Sequence, residues 1–237
     1  MDITFFEDEL FRRWNERNRQ NGERHIVKDG VISPPDYNAS ALKVVFALKE
    51  FNDPLGDGEA IDYTYEESDI RQFVGEDGGR PATWDNLARW AIALRSLIEG
   101  KPVPFDELPP SSSEMRRSNL KSVAAVNVKK IAGRSKSDYK TIVDAAKYDA
   151  GLLLEQLRAY QPDIIVCCGE GVYDGLKGFV FANERITNLP IMPGNFHSFI
   201  VNDRTTVVDF WHPQYPAIED QDMYQKFVEV ARIALAK

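Results

Sequence analysis

The chain is poor in cysteine, in histidine and in long apolar runs, and it carries fewer bases than acids. Its two cysteines, Cys167 and Cys168, are adjacent within an apolar stretch. Neighbours of that kind rarely form a useful disulfide, and no second pair exists to complete a zinc or iron–sulfur ligand set. They read as two small buried hydrophobes in a reducing compartment, with no cofactor and no metal cluster expected. No apolar run approaches the roughly 20 residues that a bilayer-spanning helix needs. The opening MDITFFEDELFRRW places acids where a secretory leader carries positive charge. A cytoplasmic protein without membrane contact is therefore the expectation.

Acids outnumber bases 37 to 29, for a formal net charge of −8. That balance counts against a nucleic-acid partner, because phosphate contacts need Lys and Arg. The distribution of charge is the better guide. Lys121, Lys129, Lys130, Arg134, Lys136 and Lys140 stand against Asp138 alone over one 20-residue stretch. Such an excess suits either a phosphate-facing side or a solvated loop.

What is present is an ordinary globular composition, 43% hydrophobic over 237 residues, enough for one domain with a sizeable core. Phe6, Leu10 and Trp14 at helical spacing predict an amphipathic N-terminal helix over 5–20, followed by a Gly- and Pro-bearing loop. LKVVFAL (42–48), VAAVN (123–127) and DIIVCCG (163–169) read as strands covered on both faces. FHSFIV (196–201) and TTVVDFW (205–211) read as two strands joined by a tight Asn202-Asp203 turn. Helical periodicity returns at Trp84–Glu99, in one long helix over 138–160, in a short helix near 171–176 and over 219–236. Residues 49–81 and 100–113 read as polar or Pro- and Ser-rich connections. Strands alternating with helices predict a three-layer α/β/α fold with a mainly parallel central sheet of about four to five strands. We expect an N-terminal helix and loop extension at 1–40 and one α/β domain at 41–237, acting as a monomer.

In such folds ligands bind beyond the carboxyl ends of the strands. Glu50 leaves the first strand and can orient water or stabilise a cationic sugar centre, unless it is only a solvated loop acid. Asn52 and Asp53, in the turn before Pro54, are rivals for the same role. Asn127 ends the second strand, where an amide can read a pyrimidine edge or simply cap local backbone. His212 ends the last strand, where an imidazole can stabilise negative charge on a departing base. His25 and His197 read as loop and strand-start residues.

KVVFALKEFNDP (43–54), SVAAVNVKKIAG (122–133) and FWHPQYP (210–216) together resemble the motifs of the uracil-DNA glycosylase superfamily, in its compact bacterial and archaeal form. YDAGLLLEQLRAYQPDIIVCCGEGVYDGL (148–176) is similar to the helix–strand–helix segment between them, so the resemblance spans about 42–236. It implies Glu50 as the water-activating acid, Asn127 as the base-reading amide and His212 as the imidazole on the base. It also implies an aromatic stacking on the base: Phe73 in QFVGEDG, with Phe51 and Trp84 as alternatives. Lys129, Lys130, Arg134, Lys136, Gln214 and Tyr215 are the implied DNA contacts, Tyr215 as a wedge. The departures are Lys49, Glu50 and Phe51 where the family holds Gly and Pro near its acid, and Gln214 where it usually holds Ser.

The implied activity is hydrolysis of the glycosidic bond of a flipped-out, modified or damaged pyrimidine in DNA, without strand cleavage. Relatives in this superfamily act in repair and in defence against phages with modified DNA. Lys49, Lys129 and Lys130 are the lysines that would otherwise offer a Schiff base. Two alternatives remain: an inactive nucleic-acid or nucleotide sensor on the same fold, and an N-glycosidase of free nucleosides or nucleotides.

Overall fold

A computed structural model describes residues 2–22, 25–51, 69–133 and 138–236. The chain opens with α1 (Ile3–Gln20), β1 (Gly30–Val31), α2 (Pro34–Ala39) and β2 (Val44–Leu48). Next come α3 (Ile70–Asp77), α4 (Pro81–Ile98), α5 (Ser113–Leu120) and β3 (Val123–Asn127). Then α6 (Tyr139–Tyr148), α7 (Ala150–Tyr160), β4 (Ile164–Cys168) and α8 (Val172–Gly175) follow. The chain closes with β5 (Ile186–Asn188), β6 (Ser198–Val201), β7 (Thr205–Phe210) and α9 (Asp220–Leu235).

The strands form one mixed sheet in the order β1-β3-β2-β4-β7-β6-β5. Its centre, β3-β2-β4-β7, is parallel, and β1, β6 and β5 add antiparallel edges. The described residues thus hold seven strands rather than four to five. The two extra ones, β1 and β5, span two and three residues, too short for any residue pattern to announce.

All five residues of β2, β3 and β4 are buried, as near-continuous apolar runs require. Successive residues enter different apolar clusters, because a pleated strand sends alternate side chains to opposite faces. Val44, Phe46, Ile164, Val166, Val208 and Phe210 join the cluster that includes α4 and α9. Val45, Ala47, Ile165, Cys167 and Val207 join the cluster that includes α1, α6 and α7. Cys167 and Cys168 are free, buried on opposite faces, and burial pushes both thiols well up. The β6–β7 turn lies at the expected Asn202-Asp203: both hold positive φ, 51° and 54°, as the centre of a turn that Arg204 N closes on Val201 O (3.0 Å), within a three-residue connection that pairs Val201 with Thr205.

Three connections differ from the sequence expectation. The long helix over 138–160 is broken at Asp149, whose carboxylate accepts from Trp14 Nε1 (2.7 Å) and pairs with Arg17. Helix α3 occupies a stretch that reads as a polar connection, and α5 fills 113–120, for which no element is expected. Each is eight residues long and opens on a side-chain cap, Asp69 and Ser112 respectively.

Residues 2–22 and 25–40 pack into the same unit as the other described residues. β1 pairs with β3, and Leu10, Phe11 and Trp14 of α1 are fully buried in the second cluster. A polar network ties them in: Lys130 Nζ donates to both Asp29 oxygens (2.7 Å) and to Gln156 Oε1 (2.8 Å), and it lies 4.8 Å over the Trp14 ring.

Candidate active site

The parallel register aligns Leu48 with Asn127 and Cys168 with Phe210, so the loops leaving β2, β3, β4 and β7 emerge along one edge of the sheet. A cavity of about 910 Å³ opens there. Its walls bring together Lys49 and Glu50 from the β2 exit, Gly169 and Glu170 from the β4 exit, and His212 with Gln214 from the β7 exit. This is the place where an open α/β sheet offers its ligand site.

The loop carrying His212 is anchored from behind. Asn86 of α4 donates through Nδ2 to Pro213 O (2.9 Å), and Trp211 beside it packs edge-on against Phe196. The backbone N–H of Gln214 donates to His212 Nδ1 at 3.1 Å. The remaining proton of the neutral ring therefore sits on Nε2, which is left as a donor. Burial, with Lys49 nearby, lowers the His212 pKa to about 4, so the ring is neutral at physiological pH. Gly169 makes room for this pair. Its φ of +99° suits glycine, and a Cβ there would stand 3.1 Å from His212 Cβ and 3.4 Å from Lys49 Cε.

Glu50 also lines the cavity, with its side chain only 4% exposed and in an ion pair with Lys129. Two backbone bonds extend the β2–β3 ladder past the strand ends, Val128 N to Leu48 O (2.8 Å) and Lys129 N to Lys49 O (2.9 Å). They hold Lys129 beside Glu50. Gly133 closes over the carboxyl group: a Cβ there would lie 2.0 Å from Glu50 Cδ.

Asn127 lies at the adjoining strand end but not on the cavity wall. Its residue is 1% exposed, its N–H donates to Asp29 Oδ2 (2.8 Å), and its Nδ2 has no partner among the described residues. Phe73 and Phe51 pack against the first apolar cluster, and Trp84 is part of it; none of the three lines the cavity. The rings that do are Tyr139, Tyr173, Phe196, Phe210, Trp211 and Tyr215. Tyr215 is 41% exposed and stacks on Trp211 at 5.8 Å and 7°.

Of the expected phosphate contacts, Lys130 is corrected outright. It is 2% exposed and spent on Asp29 and Gln156, so no phosphate reaches it. Lys129 is committed to Glu50, while Gln214 is exposed at the cavity mouth. Asn52, Asp53, Arg134 and Lys136 lie outside the described residues.

Sequence reasoning missed Asn86, Asp209, Tyr173 and Asp174. Asn86 and Tyr173 read as ordinary helix positions, and Asp209 is a single acid within an apolar strand. That last feature was a usable signal, since an acid in a buried strand needs a reason.

No protein-family model matches the chain, and no curated protein matches it.

Proposed function

We propose that the chain is a DNA glycosylase that hydrolyses the N-glycosidic bond of a flipped-out, modified or damaged pyrimidine, leaving an abasic site. The observation that carries this reading is that Glu50 and a neutral, Nε2-protonated His212 both line the cavity at the strand exits. Two apolar clusters on opposite sides of the parallel strands agree with a three-layer α/β/α sandwich, the architecture that the alternation of strands and helices predicts.

In this mechanism the C1′–N bond breaks and its electron pair leaves with the base. His212 donates a hydrogen bond from Nε2 to the base oxygen on which negative charge gathers. The Glu50 carboxylate faces the oxocarbenium-like sugar and takes a proton from the water whose oxygen bonds to C1′. Lys129 holds Glu50 in place and supplies its counter-charge. The cavity is at the upper end of the range for small-molecule sites, about 300–1,000 Å³, which favours a base larger than uracil. A role against phages with modified DNA would supply such a base.

A second reading, an N-glycosidase of free nucleosides, has its own support. With Glu50 paired to Lys129, the cavity lining still carries Glu170 and Asp174 against Lys49, and Asp209 adds charge above about pH 7, a balance that does not favour a polyanion.

The test is incubation with oligonucleotides and free nucleosides of varied base modification, followed by alkaline scission and mass detection of released bases. We expect release from DNA, with His212→Ala and Glu50→Gln each about 100- to 1,000-fold slower and DNA affinity largely kept. Full turnover in both variants would refute the assignment. Release from nucleosides alone would favour the second reading.

A further inference from the structure

Among the described residues, Lys49 is the one lysine or arginine on the lining of the cavity. In the sheet β4 lies between β2 and β7, so the exits that carry Lys49 and His212 flank Gly169 at the end of β4. Because Gly169 has no side chain, the Lys49 stem reaches across that strand end towards the imidazole. Lys49 Cε and His212 Cδ2 come to 3.4 Å and 3.5 Å of the one point that a Cβ on Gly169 would occupy. The ammonium is close enough for its charge to help hold the ring neutral.

Both groups are unspent. Lys49 is half-buried and makes no ion pair among the described residues: Glu50 pairs instead with Lys129 of the β3 exit, and no bond joins Lys49 to Glu170, Asp174 or Asp209. His212 Nδ1 is taken by the N–H of Gln214, while Nε2–H has no acceptor among the described residues. A cation taken partly out of water without a counter-charge is costly. Beside a neutral donor, on an open cavity, it suits an oxygen that gains negative charge as a bond breaks.

We propose that Lys49 is a further catalytic residue, whose ammonium joins His212 Nε2–H in donating to the oxygen of the departing base. This rests on the glycosylase reading. The electron pair of the broken C1′–N bond leaves with the base, which departs as an anion while Lys49 and His212 keep their protons. The water that bonds to C1′ gives its proton to Glu50, which passes it to solvent, and solvent protonates the released base. The arrangement selects pyrimidines, which carry an oxygen beside the glycosidic nitrogen, over purines, which leave most readily once protonated.

The test has two arms, both on the full chain. In the first, single-turnover release is measured from oligonucleotides carrying 5-fluorouracil, uracil or thymine, whose anions are successively less stable. Lys49→Met is expected to slow release about 100-fold. The loss should grow from 5-fluorouracil to thymine, because a site short of one donor leans harder on the stability of the anion itself. Lys49→Arg keeps the charge and should restore much of the rate, and DNA affinity should be the same in all three proteins. In the second arm, calorimetric titration compares free 5-nitrouracil, an anion at neutral pH, with free thymine, which is neutral there. Wild type and Lys49→Arg should bind the anion at least about tenfold more tightly than thymine, as a charge-assisted hydrogen bond provides, and Lys49→Met should bind the two alike. Histidine NMR shows whether Lys49→Met is folded with its site intact: the His212 titration should rise from about 4 once the neighbouring charge is gone.

An equal loss for all three bases in Lys49→Met, or an anion preference that survives in it, overturns the proposal. Weaker DNA binding with an unchanged dependence on the base would make Lys49 a phosphate contact and overturn it too. Base release at the wild-type rate in Lys49→Met sinks the role of Lys49 and spares the glycosylase. The second arm needs no turnover: an anion preference that depends on Lys49, without release of any base, keeps the anion site and sinks the glycosylase.

Discussion

His212 and Asp209 are both titratable groups that the fold holds neutral, by different routes and with opposite consequences for pH. His212 is depressed to about 4 by burial and by Lys49. The unfolded ring takes up its proton near 6.5 while the folded one does not, so stability falls as pH drops from about 6.5 towards 4. In catalysis the same depression keeps the Nε2–H donor in its neutral form. The rate of base release should therefore show no acid limb at pH 6.5, only one near 4. A pH–rate profile with an inflection at 6.5 would contradict the neutral-donor role. Asp209 is raised from 3.8 to about 7 by burial first and by Asp174 second. Between those values the unfolded carboxyl is ionised and the folded one is protonated. Stability therefore declines as pH rises through that window and is level above it. Asp209→Asn removes this cost, so its melting temperature relative to wild type should climb from pH 4 to pH 7.5. A constant difference would show that Asp209 is not held neutral.

At the scale of elements, the network around Lys130 joins parts distant in the chain. Lys130 follows β3, Asp29 precedes β1, Gln156 belongs to α7, and Gln156 also donates to Tyr160 Oη (2.9 Å). Tyr160 in turn donates to Glu7 of α1, whose Oε1 accepts from Val31 N at 2.9 Å. Breaking such a buried pair from one side leaves an uncompensated charge, so Lys130→Met should destabilise by about 3–5 kcal/mol in denaturant unfolding. DNA binding by the folded fraction should be unchanged. A loss of DNA affinity with unchanged stability would restore Lys130 to the phosphate-binding set. The same network explains why a boundary at residue 40 falls inside one packed unit: α1 and β1 complete a face of the sheet and a buried polar chain at once.

For the whole molecule, the question is how an acidic protein meets DNA. With Lys130 buried and Lys129 paired to Glu50, few cations near the cavity are left for phosphates among the described residues. Each phosphate neutralised contributes a slope of about −0.7 to −0.9 in log K against log salt, so two or three contacts give about −1.4 to −2.7. Fluorescence anisotropy with an abasic or modified oligonucleotide at 50 and 200 mM salt should thus show roughly a 7- to 40-fold loss of affinity. A slope near zero would move the substrate to free nucleosides. A slope beyond about −6 would require a basic surface that the described residues do not present.

The strands, the hairpin and most helices were legible because their signals are local. LKVVFAL, VAAVN and DIIVCCG are apolar runs of strand length, and Asn202-Asp203 is a turn whose backbone those residues tolerate. Strand exits were legible for the same reason, so Glu50 and His212 could be named before any coordinates. The edge strands, the break at Asp149 and the fate of each lysine were not, because each depends on a partner far along the chain. Lys129 and Lys130 are neighbours in sequence, yet one pairs with Glu50 of the cavity lining and the other is buried against Asp29. Asp209 takes its unusual proton affinity from burial and from Asp174, 35 positions away. Local pattern sets which residues stand at the ends of strands; charge and solvation there are set by long-range packing, which only the folded chain supplies.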